Sequence, residues 1–429
     1  MTTISGPVIV VGAGLAGLRC ARVLDQAGVP VELFEAHDAV GGRVRSDVTP
    51  DGFTLDRGFQ VLFTAYPALG RAVDLGGLDL RPFDNGAAVV TAHGPEILRD
   101  PVRHPGHLQA ALTSRVLTWG DRLRLARWAA DLVASPWDGV RDVGDDPRTT
   151  EEALHARGFS DGFVESFFRP FLAGILLRRD LSTNAAVLQF LLKMLVQGRS
   201  ALPAHGMQAL PDAMARALPP DSVRLESRVL GLLGEAGRAV GVRTAAGEMR
   251  GRAVVLATDG DSSATLADVA VPRVSMGSTT LYFAGRDRPY RQKLLALNAL
   301  PDPFVNDATL LTNVVPEYAP PGWHLLAAHV LHAEHLDDGV VESRARADLA
   351  RWFPHVDLSR WRTLSIARVP HSQFPQPPHT QARLPGARPA SGPAGLYLAS
   401  EVTEDSSING ALRGGEAAAA AVLEDLDTR

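Results

Sequence analysis

Short runs of β-branched residues flank one helical stretch at the start of the chain. Val8–Val11 is apolar throughout, as expected for a strand buried on both faces, and Val31–Phe34 has the same length and a similar character. Between them, the segment up to Gln26 has the composition of a helix, and Gly28 provides its stop signal. Two strands joined by a helix predict a βαβ unit and therefore a parallel sheet.

Further strands of this kind recur much later in the chain. We expect them at 223–230, around 241–243, at 252–258 and at 395–400, where the last one runs into Glu401. An alanine-rich helix that contains residues 417–421 follows. The elements of the first sheet are therefore predicted to come from three separate parts of the chain.

Two long stretches between these parts show other patterns. In the first, 121–132 is an amphipathic helix, and Phe163, Phe167 and Phe171 recur at helical spacing, with Pro170 expected to kink or end that helix. Residues 185–197 are apolar on nearly all sides, so this helix is core, lines a tunnel or lies on a membrane that it is too short to cross. The second stretch has short strands at 279–283, 294–297, 310–315 and 325–330, which predict an antiparallel sheet.

Length and composition fit a globular protein of about two to three domains. Of 429 residues, 45% are apolar and 21% charged, and the net charge of −5 includes no basic run, so we expect no nucleic-acid partner. Cys20 is the only cysteine, which excludes an intramolecular disulfide and cysteine-ligated metal centres, and no metal site is expected. Without a signal peptide or a run of ~20 apolar residues, we expect a cytoplasmic protein with at most a peripheral membrane contact.

The turn after the first strand carries the pattern G-x-G-x-x-G. Gly12 permits the tight turn, Gly14 lets the backbone approach a pyrophosphate, and Gly17 lets the helix pack closely on the strand. The helix N-terminus adds free N–H groups and a positive dipole end. Glu35 ends the second strand, where an acidic residue is placed to bind a ribose hydroxyl. Together these features predict a dinucleotide site.

The segment after Glu35 favours FAD. Gly41, Gly42 and Arg43 resemble the GGR signature of the superfamily of amine oxidases, protoporphyrinogen oxidases and phytoene desaturases, where these residues lie against the FAD pyrophosphate. Paired glycines allow close approach, and the planar guanidinium suits phosphate. Residues 52–60 are similar to the family segment beside the flavin ring, 253–260 to the strand that returns to the FAD domain, and 400–415 to the C-terminal FAD motif.

The resemblance implies an α/β fold: a Rossmann-type, glutathione-reductase-like FAD-binding domain with a parallel sheet plus a β-meander, and an inserted α+β substrate domain. The FAD-binding domain is expected at 1–100, 205–270 and 385–429, and the substrate domain at 101–204 and 271–384. FAD is expected to be bound non-covalently, because Cys20 lies in the wrong place for a covalent link. The residues expected to contact FAD are Gly12, Ala13, Gly14, Leu15, Ala16, Gly17, Glu35, Ala36, Gly41, Gly42, Arg43, Gly58, Phe59, Gln60, Val229, Thr258, Asp259, Glu401, Ser407, Ile408, Asn409, Gly410 and Ala411.

A single dinucleotide fingerprint indicates one redox cofactor. The simplest hypothesis is that a small apolar substrate, isoprenoid or carotenoid-like, gives a hydride to the flavin, which oxygen or a quinone reoxidises. Amine oxidases of the family place a lysine near the flavin, but neither Lys193 nor Lys293 fits that role, which favours a desaturase or dehydrogenase over an amine oxidase. An amine oxidase or a protoporphyrinogen-oxidase-like enzyme is the alternative.

Catalytic residues and oligomeric state stay open. His205 and His371 are the histidines to test first, although a structural role is favoured for each. Two other classes of protein on this fold are alternatives: a non-redox flavin isomerase and a prenyl-binding escort protein.

Overall fold

A five-stranded parallel sheet forms the core around the glycine-rich turn. In a computed structural model, which describes residues 6–99 and 114–427, its strands lie in the order Val223–Arg224, Val31–Phe34, Val8–Val11, Ala253–Leu256 and Leu396–Leu398. The helices Leu15–Gln26 and Ile408–Asp427 pack together beside it. The two central strands are buried along their whole length, which explains their unbroken apolar sequences.

A three-stranded antiparallel meander packs on the same sheet. It comprises Val229–Glu235, Arg238–Thr244 and Gly247–Arg250, and its Val242 shares an apolar cluster with Ile9 and Val254. The parallel sheet and the meander are both as predicted. The single strand predicted at 223–230 is wrong, because the chain turns at Glu226, which has φ 51°, so that one part joins the parallel sheet and the other starts the meander.

A seven-stranded, mainly antiparallel sheet forms the second layer. Its spatial order is Arg362–Gln373, Met276–Gly285, His324–Val330, Val305–Leu310, Leu295–Asn298, Gly86–Thr91 and Gly94–Arg99. The helix Asp338–Trp352 packs on one face of this sheet. The strand predicted at 310–315 is wrong: Val305–Leu310 is the strand and Leu311–Val314 is a helical turn. Because both segments are buried, the sequence shows no change from a strand pattern to a helix pattern between them.

The division into two domains stays a prediction. The hairpin Gly86–Arg99 pairs with Leu295–Asn298, which belongs to the sheet expected for the substrate domain. This pairing favours an end of the first segment of the FAD-binding domain near residue 85 instead of residue 100.

Helices dominate the first insertion. They are Trp119–Ala134, Val140–Val143, Thr150–Ala156, Asp161–Phe163, Arg169–Leu176 and Ala185–Gln197. Pro170 was expected to kink or end this helix. The chain stays helical through Pro170, so an end at the proline is wrong, and a kink stays a prediction. The π-helical turn Val164–Phe168 comes immediately before, and Pro170 therefore lies in the first turn of the next segment, where its missing N–H is tolerated.

Small elements complete the described chain. The remaining strands are Ser46–Val48, Thr54–Asp56, Leu62–Phe63, Leu80–Pro82 and Ser200–Pro203. The remaining helices are Pro67–Ala72, Ala209–Arg216, Gly260–Ala267 and Thr380–Arg383, with 3-10 turns at Leu75–Leu78, Pro316–Tyr318, Leu358–Arg360 and Glu401–Thr403. Within 6–99 and 114–427, no helix combines the length and apolar character needed to cross a bilayer.

Candidate functional site

The glycine-rich turn forms a backbone cradle at the edge of the parallel sheet. Gly12 has φ 103°, and a Cβ there would lie 2.7 Å from the carbonyl oxygen of Ala257, so only glycine is accommodated. A Cβ on Gly17 would lie 2.0 Å from the carbonyl oxygen of Gly12, which explains the close packing of helix on strand. A Cβ on Gly14, by contrast, would meet no atom within 4 Å. Gly14 therefore faces open space, as a site for a pyrophosphate requires.

The first helix points its N-terminus into this space. Gly14 is the N-cap and supplies no side-chain hydrogen bond, and Leu15 and Ala16 line the same cavity. Uncapped N–H groups and the positive end of the helix dipole suit a phosphate group. The cradle thus has the donors that a dinucleotide needs.

Glu35 is fixed at the end of the second strand. One carboxylate oxygen accepts the N–H of Ala13 at 2.8 Å, and the other accepts the N–H of His37 at 3.0 Å. Glu35 is 6% exposed and lines the cavity. A buried carboxylate held in this way can accept further hydrogen bonds from a ribose.

The Gly41-Gly42-Arg43 turn closes over the first glycine turn. The N–H of Gly41 donates to the carbonyl oxygen of Ala13 at 2.8 Å, and a Cβ on Gly42 would lie 3.4 Å from the Cα of Gly14. The Arg43 guanidinium donates to the Glu401 carboxylate at 2.7 Å. Two residues that are far apart in sequence are thereby joined at the cavity wall.

The start of the last helix contributes both to the cavity and to packing. Ser407, Ile408 and Ala411 line the cavity. Asn409 is fully buried, and its amide bonds the backbone N–H of Ala68 and the carbonyl oxygen of Asp138. A Cβ on Gly410 would lie 2.0 Å from the carbonyl oxygen of Asp405.

Nineteen of the predicted contact residues line one cavity, and four do not. The four are Ala13, Gly17, Asn409 and Gly410, which pack or hydrogen-bond within the protein. Gly58 has φ 87° at the cavity wall, Phe59 donates its N–H to the Thr280 hydroxyl at 3.1 Å, and the Gln60 amide donates to the carbonyl oxygen of Arg43 at 2.7 Å. FAD contact by each predicted residue stays a prediction.

The cavity is large and continues far beyond the glycine cradle. Its volume is about 1800 Å³, whereas a pocket for one small molecule occupies ~300–1,000 Å³. Its far part is lined mainly by apolar side chains of the first insertion. The aromatic residues among them are Trp119, Trp128, Phe163, Phe167, Phe168, Phe171 and Phe190. There is consequently room for a dinucleotide and for a second, apolar molecule.

Two of the predicted helices form the apolar walls. Phe163, Phe167 and Phe171 stack in a row with ring centroids 5.3 Å apart at each step. The helix Ala185–Gln197 is largely buried and presents Phe190, among other residues, to the cavity. The described helix is therefore both core and cavity wall, two of the three roles considered from its sequence.

The two histidines and two lysines singled out from the sequence do not come together at the cavity. His371 lines the cavity, and its Nδ1 lies 2.7 Å from the Ser275 hydroxyl, whereas His205 is exposed and lies outside the cavity lining. Lys193 donates to the carbonyl oxygen of Trp137 at 2.7 Å, and burial lowers its pKa. Neither Lys193 nor Lys293 lines the cavity.

Among the ionisable residues of the cavity that the sequence prediction did not include are Asp405, Asp307 and His329. Asp405 lies just before the last helix, and Asp307 and His329 lie on the seven-stranded sheet. Burial raises the pKa of Asp405 to about 6. For Asp307 and His329 the available signal was an ionisable residue within a strand of mainly uncharged residues, which is unusual in a buried sheet.

Comparisons with known proteins agree with this geometry. The family model described as flavin containing amine oxidoreductase matches residues 15–423. The chain is 30% identical over 130 residues to a 15-cis-phytoene desaturase of Narcissus pseudonarcissus, covering 28% of this chain and 22% of that protein. It is 25% identical over 262 residues to protoporphyrinogen oxidase 2 of Arabidopsis thaliana, covering 52% and 50%. The matches thus span half or less of the length of these relatives.

Solved structures show the same fold over nearly the whole chain. An oxidoreductase from Methanosarcina mazei superposes with a TM-score of 0.74 at 17% identity, covering 98% of this chain and 100% of that one. At this identity the likeness concerns the fold alone.

Proposed function

Because the chain belongs to the family of flavin containing amine oxidoreductases, we propose that it dehydrogenates or desaturates a small apolar substrate of isoprenoid or carotenoid-like type. Membership confirms the predicted resemblance, and with it an FAD cofactor and an oxidoreductase fold. The observation that carries the proposal is the continuity of one cavity, from the glycine cradle to the row of stacked phenylalanines. The match to a phytoene desaturase supports this class of substrate.

Residues of the cradle would hold FAD. Glu35 is placed for a ribose, the N-terminus of the first helix for the pyrophosphate, and Arg43 with Glu401 for the wall beyond it. Bound FAD supplies a two-electron acceptor that oxygen or a quinone can regenerate. The apolar side chains of the far part bind the substrate, orient it and exclude water.

The surroundings of the two lysines favour this reading over an amine oxidase. Lys193 is engaged by the backbone of Trp137, and Lys293 lies outside the cavity lining, so neither is available to assist at a bound substrate. The apolar lining also favours a hydrocarbon over a free amine, whose charge is costly to desolvate.

The experiment is an anaerobic titration of the purified, FAD-loaded protein with isoprenoids and with amines. We expect isoprenoids to bleach the flavin absorption and oxygen or a quinone to restore it. Bleaching by amines alone would favour an amine oxidase, and turnover without net electron transfer would indicate an isomerase. A colourless protein that takes up no FAD would revive the escort-protein alternative.

The helix Trp119–Ala134 supports a second proposal, a peripheral contact with a lipid surface. Trp119, Leu123 and Val133 are 67%, 64% and 53% exposed, and Trp119 and Val133 also line the cavity. The Arg122 guanidinium stacks over the Trp119 ring at 5.0 Å. An exposed apolar face with adjacent arginines at the mouth of an apolar cavity is suited to an interface helix that takes substrate from a bilayer.

Vesicle co-sedimentation tests this contact. The double variant Trp119→Ser, Leu123→Ser should bind phosphatidylglycerol-containing vesicles at least about tenfold more weakly, because each buried apolar side chain contributes ~1.5–3 kcal/mol. Val340→Ser, an exposed apolar position on the helix Asp338–Trp352, is the matched control and should bind as the wild type does. Equal binding by all three proteins would contradict the contact. The predicted cytoplasmic location stays a prediction.

A further inference from the structure

A buried histidine and aspartate lie together on the cavity side of the seven-stranded sheet. His329 and Asp307 are register partners on neighbouring strands, and both line the cavity. They are 4% and 2% exposed. Nothing in the proposed function assigns them a role. Burying two ionisable groups in an apolar cavity is costly unless they are paired, and such groups concentrate at functional sites.

Their side chains lie on the cavity face of the sheet, opposite the face that packs against the helix Asp338–Trp352. Thr280 is the register partner of His329 on the other neighbouring strand, and its hydroxyl accepts the N–H of Phe59, which lines the cavity. The Phe59 ring packs edge-on against the His329 ring with centroids 5.0 Å apart. Phe59 belongs to the segment expected beside the flavin, so the pair lies where substrate and cofactor regions meet.

The hydrogen-bond pattern leaves the imidazole with spare capacity. Neither ring nitrogen of His329 has a hydrogen-bond partner among the described residues. Its Nδ1 lies 3.6 Å from Oδ1 of Asp307, which is within ion-pair reach but longer than a hydrogen bond. Buried polar atoms are normally satisfied, so an unpartnered imidazole at a cavity wall points to a ligand group.

Asp307 is itself held by a chain of donors. Its Oδ2 accepts the Asn306 amide at 2.9 Å, and the Oδ1 of Asn306 accepts the Arg179 guanidinium at 2.7 Å. The nearby guanidinium offsets the charge of the carboxylate, so the site does not offer a net negative charge to a cationic ligand. A neutral polar group therefore fits better than an ammonium group.

We propose that His329, oriented by Asp307, accepts a hydrogen bond from a hydroxyl group on an otherwise apolar substrate. The negative carboxylate 3.6 Å from Nδ1 favours the tautomer that carries the proton on Nδ1, and this tautomer leaves Nε2 as an acceptor. This role for His329 deepens the proposed function and rests on it, because the proposed function supplies the apolar part of the substrate. His329 is then a specificity-determining residue that selects a hydroxylated molecule over a plain hydrocarbon.

The test compares three ligands that share one alkyl chain. The FAD-loaded protein is titrated with 1-octanol, with methyl octyl ether, which cannot donate a hydrogen bond, and with octylamine, and binding is followed by calorimetry and by the flavin difference spectrum. We expect 1-octanol to bind about tenfold more tightly than the ether, the equivalent of one net hydrogen bond, and octylamine to bind no more tightly than 1-octanol.

Two variants locate the effect. His329→Phe should bind 1-octanol and the ether equally, at the affinity of the ether for the wild type. His324→Phe is the matched control, because His324 lies on the same strand, half-buried and outside the cavity lining, and it should keep the tenfold preference. FAD content reports whether each variant folds.

Several outcomes would overturn the inference. These are equal binding of alcohol and ether by the wild type, an unchanged preference in folded His329→Phe, and tightest binding of octylamine. If the variant does not fold, equal binding of alcohol and ether by the wild type still overturns the inference. The binding test does not depend on turnover. If no apolar compound bleaches the flavin, the proposed function is refuted. If the hydroxyl preference is nevertheless present and is lost in His329→Phe, this inference stands.

Discussion

Replacing Asp405 with asparagine should remove a specific pH dependence of stability. Burial is the main cause that raises the pKa of Asp405 from 3.8 to about 6, and the hydrogen bond from Ser407 offsets only part of it. The folded protein therefore keeps this proton over a pH range in which the unfolded chain has released it. Because the unfolded state binds fewer protons there, the contribution of Asp405 to stability is full below about pH 4 and is lost as the pH rises through about 6.

The size of the effect follows from the shift. A change of about two pKa units corresponds to ~3 kcal/mol of unfolding free energy. The amide side chain of the variant would carry no charge at any pH, so the variant should lack this loss. Relative to the wild type, Asp405→Asn should gain about 2 kcal/mol between about pH 4.5 and pH 7.5, because roughly a third of the full effect lies below pH 4.5.

Denaturant unfolding of the FAD-saturated proteins at the two pH values measures this difference. Asp268→Asn is the control, because Asp268 is exposed and has φ 48°, a conformation that asparagine also adopts readily. Its stability should follow the wild type at both pH values. Parallel pH curves for the wild type and Asp405→Asn would refute the reasoning.

Two further predictions concern the cradle and the lysines. Glu35→Gln should weaken FAD binding about tenfold, because the amide can accept only one of the two N–H groups that now bond the carboxylate oxygens. Fluorescence titration measures the affinity, and an unchanged affinity would exclude a role for the charge of Glu35. Lys193→Met and Lys293→Met should leave the rate of anaerobic flavin reduction by substrate unchanged, because neither lysine lines the cavity, and a loss of more than about tenfold in stopped-flow measurements would contradict this.

The cofactor cradle could be predicted from sequence because its determinants are local. The first strand, the glycine turn and Glu35 lie within one βαβ unit, and each glycine has a steric reason that the pattern itself encodes. Gly41 and Gly42, which pack on that turn, were identified by their resemblance to the family's GGR signature. At the last helix, Asn409 bonds the backbone N–H of Ala68 and Gly410 packs on the carbonyl oxygen of Asp405, and contact of either residue with FAD stays a prediction.

The substrate side could not be predicted in the same detail, because its contacts depend on strand register. Asp307 and His329 become neighbours only through the pairing of two strands, and the sequence placed one of these strands five residues too late. Fully buried strands and short helical turns have similar apolar patterns, so register and element type are both poorly determined there. The acid Asp405 stands in a loop whose burial no local pattern reveals.

FAD binding by Gly14→Val shows whether the open space beside the glycine turn is the cofactor site. Gly14 has φ −72° and ψ 178°, which any residue adopts, and a Cβ there meets no protein atom within 4 Å. The Cβ of the added side chain would therefore enter the space assigned to the pyrophosphate without meeting the protein. We predict a yellow wild-type protein with bound FAD and a folded, colourless variant of unchanged circular dichroism; a folded Gly14→Val protein that retains FAD with wild-type affinity would contradict the account.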